Sequence, residues 1–284
     1  MKYYHVDVFS NKPFSGNGLT IFPDAEILDK KSMQTITREM RQFESIFLHR
    51  TGDNSFRAFI FTMEEELDFA GHPIIGAAAL LHDLYANEKT KGKWNIELNT
   101  KLVEVVTQKN DGNYSAEMNQ GKAEFINTLT TEQSKEYLSF FNLEETDKER
   151  NLPLEVVSTG LPYLIIPVKT EALAKVKVTI SNLEKKLADI GAKFFFTFDP
   201  QGLQGRTWDN LGLVEDIATG SAAGPSGAYL VKHQLANTET TIQLKQGDFL
   251  ERPSILTVTV KRNCDIFVAG DVCKIAEGNL HYPN

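Results

Sequence analysis

The sequence predicts an α+β fold of two similar halves, and three observations carry the prediction. Short strand-like segments come in two sets, each set holds one helix rich in small residues, and those two helices resemble one another. Strands interrupted by helices, without the strict alternation of βαβ units, indicate this class.

In the first set, Tyr3–Phe9, Gly18–Phe22, Ser45–His49, Phe56–Thr62, Trp94–Leu98, Leu102–Gln108 and Tyr114–Met118 are short and mostly β-branched or aromatic. The second set is Glu155–Val157, Tyr163–Val168, Lys193–Phe198, Thr240–Leu244, Ile255–Val260 and Ile266–Gly270. Helical periodicity marks Lys31–Arg41 and Pro73–Tyr85, then Thr131–Phe141, Ser181–Ile190 and Ser226–Leu235. The charged stretch Glu144–Arg150, followed by Asn151-Leu152-Pro153, reads as a hinge-side linker. The halves are expected over residues 1–118 and 119–284, with the last strand free to return to the first half.

A chain of 284 residues suits two medium domains or one large one. Its 41% hydrophobic and 24% charged content is ordinary for a soluble globular protein. The net charge of −8, with acids and bases interspersed, gives no support to nucleic-acid binding, which wants a basic face. No apolar run approaches the ~20 residues that span a bilayer. Asp7 interrupts Met1–Val8 where a secretory leader would have its apolar core, so a cytoplasmic location is expected. The two cysteines, Cys264 and Cys273, are then expected to be reduced.

The two small-residue helices repeat one pattern. Asp68-Phe69-Ala70-Gly71-His72-Pro73 leads to Gly76-Ala77, and Asp216-Ile217-Ala218-Thr219-Gly220-Ser221 leads, three residues longer, to Gly227-Ala228. A histidine, His82 or His233, stands six residues after each helix glycine, well inside its helix, where packing or surface roles are expected. The pattern reads as an internal duplication.

A glycine-bearing turn running into a helix exposes backbone N–H groups with no internal acceptor, and the helix N-terminus favours an anion there. Pro73 suits a first helical position, and Pro225 suggests that the second helix proper begins near it, with Thr219–Gly224 as the cradling turn. Thr219 and Ser221 add hydroxyl donors. Two such turns point to a small carboxylate-bearing ligand.

Phe69-Ala70-Gly71-His72-Pro73 with Gly76-Ala77-Ala78, and Glu215 through Pro225, resemble the two signature stretches of the PhzF-like (phenazine biosynthesis) family. Phe14-Ser15-Gly16-Asn17, Gly160-Leu161-Pro162, Gln246-Gly247 and Arg252-Pro253-Ser254 match in the same order, so the resemblance runs from about residue 1 to about residue 270. It implies the diaminopimelate epimerase-like fold: two pseudo-symmetric lobes, each a mostly antiparallel sheet around a central helix, with the active site between them. It also implies a cofactor-free reaction on a small anionic substrate and a homodimer.

Related epimerases oppose two cysteines, one at each turn. Ala70 and Thr219 stand there in this chain, which argues against two-thiol chemistry. In the phenazine enzyme one glutamate moves a proton between carbons of a dihydro-hydroxyanthranilate, and Glu44 occupies its place. The resemblance assigns supporting roles to His72, Asp216 and Ser221.

Glu44, His72, Asp216 and Asn17 each have two readings. Glu44 is an acid/base raised in pKa by burial beside Phe43 and Phe47, or a solvated junction residue. His72 donates to substrate or caps its helix. Asp216 holds a substrate group or a neighbour, or braces the Thr219–Gly220 turn. Ser221 donates its hydroxyl. Asn17 lines the cleft or forms a turn, and Gly71, Thr219, Gly220 and Ala222 line the anion-cradling turns. Phe43, Ser45, Met63, Arg206–Asn210 and Ile217 depart from the family pattern, so the substrate need not be the phenazine precursor. Two other classes stay open: a binding protein that kept the fold, and an epimerase pairing Glu44 with a different second base.

Overall fold

The computed structural model describes residues 1–281. Two compact units emerge: Met1–Asn119, Glu251–Ile255 and the chain from Ala269 onward form the first, and Gln120–Leu250 with Leu256–Val268 form the second. In chain order the elements begin with β1 (Lys2–Val8), β2 (Asn17–Phe22), α1 (Lys30–Met40), β3 (Glu44–Gly52), β4 (Ser55–Phe61), β5 (Glu66–Leu67) and α2 (Gly71–Tyr85). There follow β6 (Lys91–Glu97), β7 (Leu102–Asn110), β8 (Asn113–Lys122), β9 (Glu124–Thr128), α3 (Thr131–Phe140), β10 (Glu155–Ser158) and β11 (Pro162–Pro167). The last are α4 (Leu183–Asp189), β12 (Phe194–Asp199), β13 (Gln204–Arg206), α5 (Gly220–Lys232), β14 (Thr241–Gln246), β15 (Ser254–Val260) and β16 (Asp265–Asn279).

In the first unit the strands pair in the order β1-β2-β3-β4-β6-β7-β8, and β5 lies on β4. The β2–β3 and β4–β6 pairs are parallel, while β1–β2, β3–β4, β6–β7 and β7–β8 are antiparallel. Strand β16 borders both β8 and β1, so the strands close on themselves. Strand β16 runs to Asn279, well past the expected Gly270, and Val272 to Asn279 pair antiparallel with Val8 to Lys2. In the second unit the order is β15-β14-β13-β12-β11-β10-β9. The Glu144–Arg150 stretch is no linker. Asp147 accepts the Glu144 N–H at 3.1 Å and the Lys175 ammonium at 2.6 Å, making a packed turn of the second unit.

Each unit has one buried helix. In α2 every residue from Gly71 to His82 is buried, and in α5 so are Gly220 and Ala222 to Leu230. A helix apolar on all sides belongs inside its unit. The repeated glycines show how these helices fit. A Cβ at Gly76 would stand 2.6 Å from Leu19 Cδ2, and one at Gly227 would stand 2.5 Å from Val258 Cγ1. Both helices lie too close to a strand for any larger residue.

Both helices also begin earlier than the sequence suggests. Helix α2 starts at Gly71, so His72 is its second residue and Pro73 its third. Pro73 still falls in the first turn, where a missing N–H costs no bond. Helix α5 starts at Gly220 and carries Pro225 in its interior. The ring removes the bond to the Ser221 carbonyl, yet burial of the surrounding Ala and Gly faces holds the helix through it. Strands β5 and β13, of two and three residues, are too short for periodicity to register, and β9 is largely exposed, with only Phe125 and Ile126 as large apolar residues.

Candidate active site

The first unit gathers Asn17, Glu44, Gly71 and His72 at one end of its sheet. Helix α1, capped by Asp29 accepting the Ser32 N–H at 2.8 Å, ends at Arg41 in the left-handed region (φ 57°). The chain then turns through Gln42 and Phe43 into β3, which Glu44 opens. Parallel pairing sets Leu19 opposite Glu44.

Side chains alternate along a strand, so neighbours fix the face each one takes. Phe22 and Phe47 belong to the apolar cluster under α1, with their rings stacked at 4.7 Å. Leu19 lies against α2 at Gly76. Asn17 and Glu44 therefore face α2 together with Leu19. Both are buried, Asn17 1% and Glu44 6% exposed, which removes the reading of Glu44 as a solvated junction residue. The expectation that Phe47 shelters Glu44 is corrected by the same alternation: Phe47 points to the opposite face. The shelter comes from α2.

His72 meets Glu44 there. Its Nδ1 stands 3.0 Å from Glu44 Oε2, and the imidazole is 4% exposed. His72 is no cap, since the residue at the cap position is Ala70, which makes no side-chain cap bond. The first-turn N–H groups of Gly71 and His72 thus receive no side-chain acceptor from the cap residue. Burial pushes the His72 pKa down to about 3, so the ring is neutral at physiological pH. The 3.0 Å approach is a close contact between a neutral ring and a buried carboxyl. His72 Nε2 is buried with no hydrogen-bond partner among the described residues. A carboxyl can both give and take a proton, and the neutral ring beside it adds no charge.

The loop leading to Asn17 is tied from below. Gly16 has φ +74°, and a Cβ there would stand 2.4 Å from the Val8 carbonyl oxygen. Arg252 donates to the Gly16 carbonyl at 2.8 Å and to Asp7 Oδ1 at 2.7 Å, while Asp7 Oδ2 accepts the Phe14 N–H at 2.7 Å. These bonds explain why Glu251–Ile255 belongs to the first unit.

The start of α5 in the second unit is built differently. Asp216 Oδ2 accepts the Thr219 hydroxyl at 2.5 Å, so the bracing reading of Asp216 is the one its geometry carries. The Gln246 amide completes the brace. Its Oε1 accepts the Thr219 N–H at 2.9 Å, and its Nε2 donates to the Asp216 carbonyl at 2.8 Å and to Thr219 Oγ1 at 3.0 Å. Thr219 was expected to offer donors to an anion. Both its N–H and its hydroxyl are already spent inside the turn. The Ala222 N–H, another expected donor, goes to the Thr219 carbonyl at 3.1 Å. Gly220 and Ser221 remain as first-turn donors, and Ser221 Oγ lies 2.6 Å from Tyr163 Oη.

Sequence reasoning missed Gln246, Tyr163 and Gln120. Gln120 donates to the Gly220 carbonyl at 2.9 Å, and a Cβ at Gly224 would stand 2.2 Å from its Oε1. Gln246 lies within one stretch that matches the family and Tyr163 follows another, but no spacing rule ties residue 246 or 163 to residue 219 or 221. His82 and His233 take structural contacts: His82 Nε2 lies 3.1 Å from the Lys89 carbonyl, and His233 Nε2 lies 2.8 Å from Glu155. Cys264 is exposed and Cys273 buried; both are free thiols.

Known proteins show the family of the chain. The family model described as phenazine biosynthesis-like protein matches residues 6–278. The uncharacterized isomerase YddE of Escherichia coli is 32% identical over 90% of this chain and 89% of its own length. The trans-2,3-dihydro-3-hydroxyanthranilate isomerase of Pseudomonas aeruginosa is 28% identical over 99% of both chains. The solved structure of a predicted epimerase from Pseudomonas aeruginosa superposes with a TM-score of 0.95 at 46% identity, covering 99% of each chain. A probable proline racemase from Agrobacterium radiobacter, 12% identical with a TM-score of 0.66 over 99% of this chain and 93% of its own, shares the fold alone. With a buried carboxyl–imidazole pair beside an uncapped helix start, and with relatives of this kind along its whole length, the chain belongs to the phenazine biosynthesis-like family and is an isomerase.

Proposed function

We propose that this isomerase moves a proton between carbons of a small carboxylate-bearing substrate without a cofactor, with Glu44 as general acid and base. The observation that carries the reading is the 3.0 Å approach of His72 Nδ1 to Glu44 Oε2, both groups buried. Burial makes the carboxylate costly and brings its basicity nearer to what removal of a proton from carbon requires. The neutral imidazole lies against the carboxyl without adding a charge of its own. Asn17 and the N–H groups of Gly71 and His72 are offered to the polar groups of the substrate. In the second unit Gly220 and Ser221 are the donors for an anionic group, with Asp216 in support through Thr219.

The departures at Phe43, Met63 and Ile217 favour a substrate other than the phenazine precursor. A cytoplasmic homodimer is the expected setting, which sedimentation of the purified chain tests.

The experiment is a screen of small carboxylates in deuterated water, read by NMR for deuterium entering at carbon. The wild-type chain exchanges its substrate, and Glu44→Gln lowers the rate by about 10²- to 10⁴-fold, the usual worth of a positioned acid/base group. A variant that exchanges at the wild-type rate ends the proposal.

A further inference from the structure

We propose that Tyr163 is a positioning residue that sets the direction in which the Ser221 hydroxyl donates; the assignment rests on the reading of Ser221 as a donor to the substrate's carboxylate. Three observations carry it. The Tyr163 and Ser221 oxygens lie 2.6 Å apart, a strong hydroxyl–hydroxyl bond. Tyr163 is 4% exposed and belongs to the middle of the sheet, opposite Val157 on β10 and Phe194 on β12, with its ring 5.5 Å from that of Phe194. Its oxygen is therefore held where it is. Ser221, by contrast, is only half-buried at the start of α5.

The chemistry orders the pair. A phenol is a stronger acid than an alkyl alcohol, so Tyr163 donates and Ser221 Oγ accepts. That occupies one lone pair of the serine and leaves its own proton for another acceptor. The bond also polarises the serine O–H, making it a better donor to an anion. An unsupported serine hydroxyl rotates among three staggered positions. Tyr163 selects one of them. Thr219 and Ala222 cannot substitute, because their donors are committed within the turn. Discrimination for a carboxylate at this turn then falls to the Gly220 and Ser221 N–H groups and one hydroxyl whose aim is fixed from the sheet.

The test is binding of anthranilate, a ring carboxylate, by isothermal titration calorimetry to wild type, Tyr163→Phe, Ser221→Ala and the double variant. Anthranilamide, the uncharged analogue, serves as control, and thermal melts report the fold. Ser221→Ala is expected to weaken anthranilate binding by about 10-fold and Tyr163→Phe by about 5-fold, as loss of a hydrogen bond to a charged group and of its support would do. The double variant binds no worse than Ser221→Ala, anthranilamide distinguishes none of the variants, and melting is unchanged. A merely structural tyrosine would shift melting or affect both probes alike. Wild-type affinity in Tyr163→Phe, or additive losses in the double variant, overturns the assignment while leaving Glu44 untouched, since proton exchange reads Glu44 separately. Failure of the wild-type chain to bind anthranilate overturns the assignment together with the carboxylate reading of this turn.

Discussion

The starts of the two buried helices, α2 and α5, come from the same sequence pattern and have been finished in opposite ways. At α2 the groups are titratable: the cap residue Ala70 offers no side-chain bond, a neutral histidine lies against a buried carboxyl, and among the described residues His72 Nε2 has no hydrogen-bond partner. At α5 nearly every polar atom has been used, with Asp216, Thr219 and Gln246 closing a ring of bonds around the turn. Even the leading aspartates diverge: Asp68 is exposed and accepts from Asn99, whereas Asp216 is buried and accepts from Thr219. The surface helices α1 and α3, by comparison, carry ordinary side-chain caps from Asp29 and Thr130. The difference teaches that a repeated frame need not repeat its chemistry. One start keeps reactive groups in reserve, and the other is a rigid support that presents a few donors.

That contrast can be broken by mutation. Gln246→Leu strips partners from a buried N–H, a buried carbonyl and the Thr219 hydroxyl, and is expected to cost about 2–4 kcal/mol in urea denaturation. Glu44→Gln, at the start with the carboxyl–imidazole contact, keeps size and polarity and is expected to cost under about 1 kcal/mol in the same experiment. Equal losses would erase the distinction between support and reserve. Gly76→Ala and Gly227→Ala probe what the two helices share. Each forces a methyl into a strand side chain at 2.6 or 2.5 Å, and each is expected to cost about 1–3 kcal/mol. A large cost at only one of them would show that the two frames are not equivalent.

A pH slope sharpens the same contrast. Burial holds His72 near a pKa of about 3 against an ordinary 6.5. Below pH 6.5 the unfolded chain binds a proton at this residue that the folded chain does not. This contribution to stability is therefore whole above pH 6.5 and declines as pH falls towards about 3. In His72→Asn the slope over that window flattens, which urea melts at several pH values would reveal; parallel curves for variant and wild type would contradict it.

Much of this was legible in residues. The strand sets, the two small-residue helices and the glycines at positions 76 and 227 follow from local pattern, because period and side-chain volume are written along the chain. Glu44 and His72 were named from the motif, though not their contact. Thr219 and Ala222 were misjudged as donors because hydrogen-bond supply is a matter of what arrives from elsewhere, and Gln246 arrives 27 residues downstream. Phe47 was misjudged as shelter for Glu44 because a strand's faces are known only once its register is.

The sequence by itself determined the class of fold, the duplicated helix starts and the residue types available for chemistry, since these depend on composition and short-range periodicity. Tertiary structure alone decided which donors stay open, that His72 is neutral and meets Glu44, and that the tail beyond Ala269 joins the first unit. Such outcomes depend on burial and on pairing between residues far apart in the chain, where no local signal reaches.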